Sequence, residues 1–202
     1  LHITEMLSAA GIESFIMNVY RNIDRQKVQF DFLVLRNQHE FYDNEIKQMG
    51  GRKYSLHSSK KNPLLRVIDE SRQIREFLLT HHYDIVHVHY TTPLRALYLR
   101  AAKQANVGTR IYHSHSAYIP GKGNVKTAIY KFLQRKIPKW GTDFFACSND
   151  AAMWMYDKKL VNSGKVKIIP NGIDTKKFSF NQNIRNNLRN KLGLNNKFVL
   201  IH

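Results

Sequence analysis

A single cysteine, Cys147, is all the thiol chemistry this 202-residue chain has. That excludes an internal disulfide framework and fits a reducing compartment. Apolar runs are short, and none approaches the roughly 18 residues that a bilayer-spanning helix needs. The chain starts at Leu1 rather than Met, with Thr4 and Glu5 close behind. A few preceding residues are therefore expected, and no secretory leader. The dinucleotide fingerprint G-x-G-x-x-G is missing, which argues against an NAD enzyme, and "GKG" at Gly121–Gly123 lacks the Walker pattern and reads as a flexible turn. There is no internal repeat, no low-complexity tract and no Ser-His-Asp grouping with usable spacing. Negative charge is the scarcest commodity: 15 Asp and Glu face 32 Lys and Arg, for a net charge of +17. Such a field attracts polyanions, whether nucleic acid, anionic lipid headgroups or phosphorylated small molecules, and does not choose among them.

What is present is a rhythm. With 43% hydrophobic residues the chain can fill one sizeable core. Short apolar runs alternate with longer amphipathic ones. "LHIT" reads as the tail of a first strand, followed by a helix over "GIESFIMNVYRNID", where Ile12, Phe15, Ile16, Val19, Tyr20 and Ile23 recur at three- and four-residue spacing. Strands are expected at "VQFDFLVL", within "GGRKYSL", and at "DIVHVH", "TRIYHS", "DFFACS" and "KVKIIP". Helices are expected around Glu40–Met49, from Leu64 to His81, over Pro93–Asn106 with Pro at its first turn, over Val125–Ile137, from the Ser148 or Asn149 cap to Tyr156, and over Ile184–Leu192. "AYIPGKGN" is a loop, and "KFVLIH" opens another strand. This alternation with few hairpin signals predicts an α/β fold, a doubly wound, Rossmann-like parallel sheet. In such a sheet ligands bind beyond the carboxyl ends of the strands.

Several chemistry-bearing residues fall at those ends. Gly11, in the "SAAG" loop after the first strand, lets a ligand or a neighbouring backbone approach closely, and the free N–H groups of the following helix suit a phosphate; a glycine that merely eases a turn fits equally well. His87 with His89, and His113 with His115, are each two apart and so share one face of a strand. Four imidazoles could hold zinc, provided the strand ends are adjacent and the rings turn inward. No cysteine or acidic cluster joins them, and the expectation is no metal. Hydrogen bonding to neighbouring loops is the ordinary role of such rings, and hydrogen bonding to sugar hydroxyls or phosphate oxygens is the functional one, for which His115, farthest along its strand, is the best single candidate. Cys147 reads as a small buried hydrophobe rather than a nucleophile. Two basic groups stand out: Lys60, Lys61, Arg66, Arg72 and Arg75, then Lys122, Lys126, Lys131, Arg135, Lys136 and Lys139. The second is interleaved with Tyr118, Ile119, Tyr130, Phe132 and Trp140. It suits an anionic membrane surface or single-stranded nucleic acid, and a solvated helix face is the ordinary reading.

Taken in order, "AGIESFIMNVYRNID", "YDIVHVHYTTP", "TRIYHSHS", "FFACSNDAAMWMY" and "KVKIIPNGIDTKKF" resemble the amino-terminal half of a family 4 glycosyltransferase of the GT-B fold, of the type that assembles capsule, exopolysaccharide or lipopolysaccharide. The resemblance covers nearly the whole chain. It implies residues 1–180 as an acceptor-side domain and residues 181–202 as the hinge region and start of a second, nucleotide-sugar-binding domain. It implies a retaining transfer from a nucleotide-sugar donor to an acceptor hydroxyl on a glycan or lipid-linked precursor. No cofactor and no nucleic acid are implied, and the place is cytoplasmic, at the inner membrane face. Family members carry a Gly-Gly pair after the first strand; Ala10 stands in the first position and Gly11 matches the second. The histidine that meets the donor sugar is matched best by His115, with His113 the alternative because the HSH spelling admits either alignment. His89, Ser148 and the "NGID" residues Asn171 and Gly172 complete the expected substrate-binding set. The rival readings are a basic nucleic-acid-binding domain and another GT-B enzyme such as a sugar-nucleotide epimerase.

Overall fold

The computed structural model describes residues 1–36, 38–117 and 125–200. Seven strands are found among them: β1 (His2–Thr4), β2 (Phe32–Val34), β3 (Lys53–Ser55), β4 (Ile85–Tyr90), β5 (Thr109–Ser114), β6 (Asp143–Ala146) and β7 (Val166–Ile168). They form one sheet in the order β3-β2-β1-β4-β5-β6-β7, with every pair parallel. The doubly wound α/β expectation is met. The order runs outward in both directions from the β1–β4 pair, so the connections leaving these two strands diverge and a crevice opens at their carboxyl ends.

Helices α1 (Gly11–Asn22), α2 (Asp43–Gln48), α3 (Pro63–Thr80), α4 (Leu97–Gln104), α5 (Val125–Trp140), α6 (Asn149–Met155), α7 (Lys158–Asn162) and α8 (Gln182–Lys191) follow the strands. Local chemistry places their ends. Asn62 accepts hydrogen bonds from the backbone N–H groups of Leu64 and Leu65, and Pro63 presets the first turn, so α3 begins there. Ser148, rather than Asn149, caps α6 by accepting from Ala151 N at 3.1 Å. The helix expected from Pro93 starts as a 3-10 turn, Pro93–Ala96, before α4, and Asn106, at φ 60°, ends the segment in the left-handed region.

Two further helices depart from expectation. α5 runs through Pro138 to Trp140 instead of stopping at Ile137. Its last carbonyls are gathered from outside: Arg110 Nε donates to Trp140 O at 2.6 Å and Lys103 Nζ to Lys139 O at 2.7 Å. These cations offset what a proline in the last turn forfeits. α7 was not anticipated, because five residues are too few to display a period; its Asp157 cap, accepting from Leu160 N at 2.8 Å, is its sequence signature.

Strand alternation sorts side chains between two cores. Ile3, Leu33, Val86, Val88, Tyr112 and Phe144 face one layer, where they pack with Ile74 and Leu78 of α3 and Tyr98 and Leu99 of α4. Phe32 and Val34 face the other, with Phe15, Ile16 and Tyr20 of α1 and Ile46 of α2. Each of the larger side chains contributes roughly 1.5–3 kcal/mol by burial. Gly51 is clamped in the second layer: a Cβ there would lie 2.8 Å from Phe30 O and from Tyr20 Oη. Any substitution at that glycine forces the α2–β3 turn apart.

The chain packs as two compact units, Leu1–Asn171 and Gly172–His202. Within the second, Asn181 caps α8 by accepting from Asn183 N and Ile184 N, both at 3.0 Å. The strand expected at "KFVLIH" is not formed over residues 197–200, and the rest of that segment lies outside the described residues. The Gly121–Gly123 turn, Tyr118, Ile119, Lys122 and the side chain of Lys126 lie outside them as well. Among the described residues no helix is long and apolar enough to cross a membrane.

Candidate functional site

Register brings the histidines together. His2 pairs with His87 across β1 and β4, and His89 with His113 across β4 and β5. Because residues two apart share a face, His2, His87, His89, His113 and His115 all point to the α1 side of the sheet. There Phe15 of α1 meets His113 and His115 edge-on, at ring separations of 5.2 and 5.5 Å, and Phe145 meets His113 at 5.8 Å. His2 Nδ1 lies 2.8 Å from His89 Nε2, and His89 Nδ1 lies 2.8 Å from His115 Nε2, so three rings form one hydrogen-bonded line. His89 and His113 are fully buried. Burial holds His2, His87 and His89 well below the ordinary imidazole range, and brings His113 down to about 3 and His115 to about 4. Neighbouring imidazoles add to the depression of all but His115. At neutral pH the whole cluster is uncharged and each ring keeps a lone pair.

The pairs do not both sit on the rim. His87 is the third residue of β4, three residues short of its carboxyl end, and its ring packs on His2, His89, His113 and Phe145. Only His115, one residue beyond β5, reaches the crevice. A cavity of about 320 Å³ opens there, walled by Glu5, Met6, Ser8 and the turn from Ala10 to Glu13, and by Thr91, His115 and Asn171. The cavity thus collects Ala10, Gly11, His115 and Asn171 of the sequence candidates. His89 and His113 lie behind His115 rather than in the wall. Ser148 is absent from the wall and spends its hydroxyl on the α6 cap. Gly172 opens the second compact unit.

The loop has the properties that close ligand approach requires. Ala10 is the N-cap of α1 and supplies no side-chain acceptor, so the N–H groups of the first turn are left for another partner. A Cβ built on Gly11 meets nothing within 4 Å, and no positive φ is recorded there. The fold itself therefore makes no demand for glycine at this position, in contrast to Gly51.

Two acidic residues of the wall escaped the sequence reading. Glu13 is only 4% exposed, and the Thr4 hydroxyl donates to it at 3.4 Å. Burial raises its carboxyl above the usual range. Glu5 is held by Arg95 at 3.3 Å and Arg36 at 3.7 Å, which brings two guanidinium groups to the same edge. An acidic residue two places after Gly11 in "GIE" was the available signal for Glu13. His2 was missed because it lies 87 residues from His89 in sequence.

A larger groove, about 660 Å³, lies among α3, α4 and α5. Its walls are apolar (Leu64, Ile68, Leu97, Phe132) with Arg72, Arg75 and Arg100 among them. Among the described residues that line it there is no carboxylate, histidine or cysteine. Lys136 Nζ sits 5.0 Å over the ring of Phe132, which is 57% exposed.

Comparison with known proteins gives one consistent answer. The profile of Glycosyltransferase Family 4 matches residues 9–177. EpsF of Bacillus subtilis (strain 168), a curated protein whose name marks its glycosyltransferase assignment as provisional, is 34% identical over 185 residues, which is 90% of this chain and 47% of EpsF. The chain therefore spans about half the length of the curated relative it matches. Among solved structures, Anabaena Alr3699/HepE, crystallised with UDP and glucose, matches at a TM-score of 0.61 and 14% identity over 96% of this chain and 50% of that one. MnaA of S. aureus, in a co-structure with UDP, matches at 0.53 and 16% identity over 95% and 50%. MurG of Acinetobacter baumannii matches at 0.54 and 8% over 86% and 46%. At these identities the three structures speak to the fold.

Proposed function

Because the chain belongs to glycosyltransferase family 4, we propose that it is the acceptor-side half of an enzyme that transfers a sugar from a nucleotide-sugar to an acceptor hydroxyl with retention at the anomeric carbon. One observation carries this reading: the uncapped start of α1, with open space at Gly11, and the His115 imidazole wall the same cavity at the topological switch point. The N–H groups of the α1 first turn are suited to the donor diphosphate, and the neutral His115 ring, with Nε2 turned from His89, to a hydroxyl or ring oxygen of the donor sugar near the leaving group. UDP in the Alr3699/HepE and MnaA structures supports a nucleotide-sugar donor. The other wall of the donor site belongs to that half of the relatives' length that this chain does not span, and residues 181–202 lead toward it. Closure of the two walls excludes water and so favours transfer over hydrolysis.

The acceptor is a lipid-linked glycan precursor at the inner membrane face. The +17 charge and the groove among α3, α4 and α5 support this, since each Lys or Arg near an anionic surface contributes about 1 kcal/mol. Liposome flotation tests it: vesicles with anionic lipid should bind the chain in a salt-sensitive way, and equal binding to neutral vesicles removes the membrane from the reading. For the reaction itself, the complete protein is assayed against a panel of nucleotide-sugars, with acceptor-dependent release of nucleoside diphosphate as the readout. No release with any donor, or an inverted product anomer by NMR, overturns the corresponding part.

A further inference from the structure

The imidazole cluster contains more than glycosyl transfer uses. Among the described residues, both nitrogens of His113, Nδ1 of His115 and Nε2 of His87 are buried with no hydrogen-bond partner. Four unsatisfied ring nitrogens in one place cost several kcal/mol if nothing meets them, and fixed structures seldom leave such groups bare. Replacing the rings by apolar residues would remove that cost, as the sheet does on its other face with Val86 and Val88. The cluster also satisfies the two conditions that its sequence pattern set for metal binding, adjacent strands and rings turned to one side. One nitrogen each from His89, His113 and His115 lie within 4.8 Å of one another.

We propose that His89, His113 and His115 form a three-imidazole site for a divalent transition-metal ion of the zinc class, with His2 as the outer partner that orients His89. An all-imidazole donor set suits zinc, cobalt, nickel and copper, and does not suit magnesium or calcium, which take oxygen. His89 has its two nitrogens divided as such a ligand requires. Nδ1 lies 2.8 Å from His115 Nε2, on the side where the ion would sit, and Nε2 lies 2.8 Å from His2 Nδ1; in the tautomer with the proton on Nε2, His89 donates to His2 and keeps the Nδ1 lone pair for the metal. The second triad, His2, His87 and His89, is the weaker choice, because none of its rings borders the cavity. Tetrahedral ligation at about 2.0–2.1 Å separates ligand nitrogens by about 3.4 Å. The 2.8 Å contact between His89 and His115 would open by roughly half an ångström, and His113 would move in toward it, so that the ion takes up one of the four unpartnered nitrogens. His115 borders the cavity, so the site adjoins it. The site shares His115 with the proposed donor site and departs from the expectation that no metal is bound.

Titration of metal-stripped protein with Co²⁺ tests it without any assay of activity. One Co²⁺ per chain should produce the strong visible absorption of a tetrahedral nitrogen site, bleached by one equivalent of Zn²⁺ and untouched by excess Mg²⁺. Zn²⁺ should also raise the melting temperature. His115→Ala, at the end of its strand, should abolish the tetrahedral spectrum, and His113→Phe, which preserves ring volume in the core, should do the same. His2→Phe should weaken binding about 10- to 100-fold while leaving the spectrum intact. His81→Ala and His82→Ala, on exposed positions outside the cluster, should change nothing. Should His113→Phe fail to fold, His115→Ala alone decides. Absence of a tetrahedral spectrum in the parent protein, or its survival in His115→Ala, overturns the site.

Discussion

Two polar clusters lie inside this fold, one on each side of the sheet, and they are built on opposite principles. Around Arg95 every charge is answered. Its guanidinium meets Glu70 and the Tyr98 hydroxyl, reaches Glu5 at 3.3 Å, and lies over the Tyr90 and Tyr98 rings at 5.2 and 5.4 Å. Tyr98 also donates to Glu70 at 2.6 Å. Around His113 the groups are neutral, close together and short of partners. The first cluster is a joint that ties α3, α4 and the crevice edge to one another. The second has hydrogen-bonding capacity left over, which is what a site for something else requires.

Removing one member from each cluster should separate the two roles. Arg95→Met leaves Glu70 buried without its cation, and urea unfolding should show a loss of about 3–5 kcal/mol. His115→Ala should cost little stability, yet depress sugar transfer by the complete protein about 100-fold, the scale of one hydrogen bond at a reacting centre. If His115→Ala is as unstable as Arg95→Met while its residual folded fraction transfers normally, the contrast is wrong. Gly11→Ala sharpens the comparison further. With nothing within 4 Å of the added methyl, stability should hold or rise by about 0.5–1 kcal/mol, while KM for the donor increases. The smallest effect is expected at Glu13, whose carboxyl is raised by burial. A raised carboxyl penalises the fold where it is ionised, at pH above its folded value, and not below the ordinary range near 4.5, where both folded and unfolded forms are protonated. Glu13→Gln should therefore raise the melting temperature slightly at pH 7–8 and leave it unchanged at pH 4.

Much of this arrangement is legible in the sequence. Strand and helix alternate at lengths that only a parallel sheet accommodates, and the caps at Asn62 and Ser148 announce themselves. Ala10, Gly11, His115 and Asn171 converge because all four follow the carboxyl ends of strands. Relations between distant segments stayed hidden. Nothing in "LHIT" shows that His2 will meet His89, since that depends on β1 lying beside β4. The depth of His87 depends on how far β4 extends, and a run of alternating residues does not declare its own end. The passage of α5 through Pro138 rests on Arg110 and Lys103, which come from other elements.

The place of β1 between β2 and β4 has a consequence for how the chain is made. On the ribosome β1, α1 and β2 emerge early and can associate as a unit. The other edge of β1, where His2 will meet His87, must wait for β4, more than eighty residues later. At about 5–20 residues per second that is a delay of several seconds, with an open row of backbone donors and acceptors facing solvent. Nascent chains stalled before β4 should therefore present the β1 edge to a chaperone, whereas those extended past β4 should hide that edge and present the β4 edge until β5 joins.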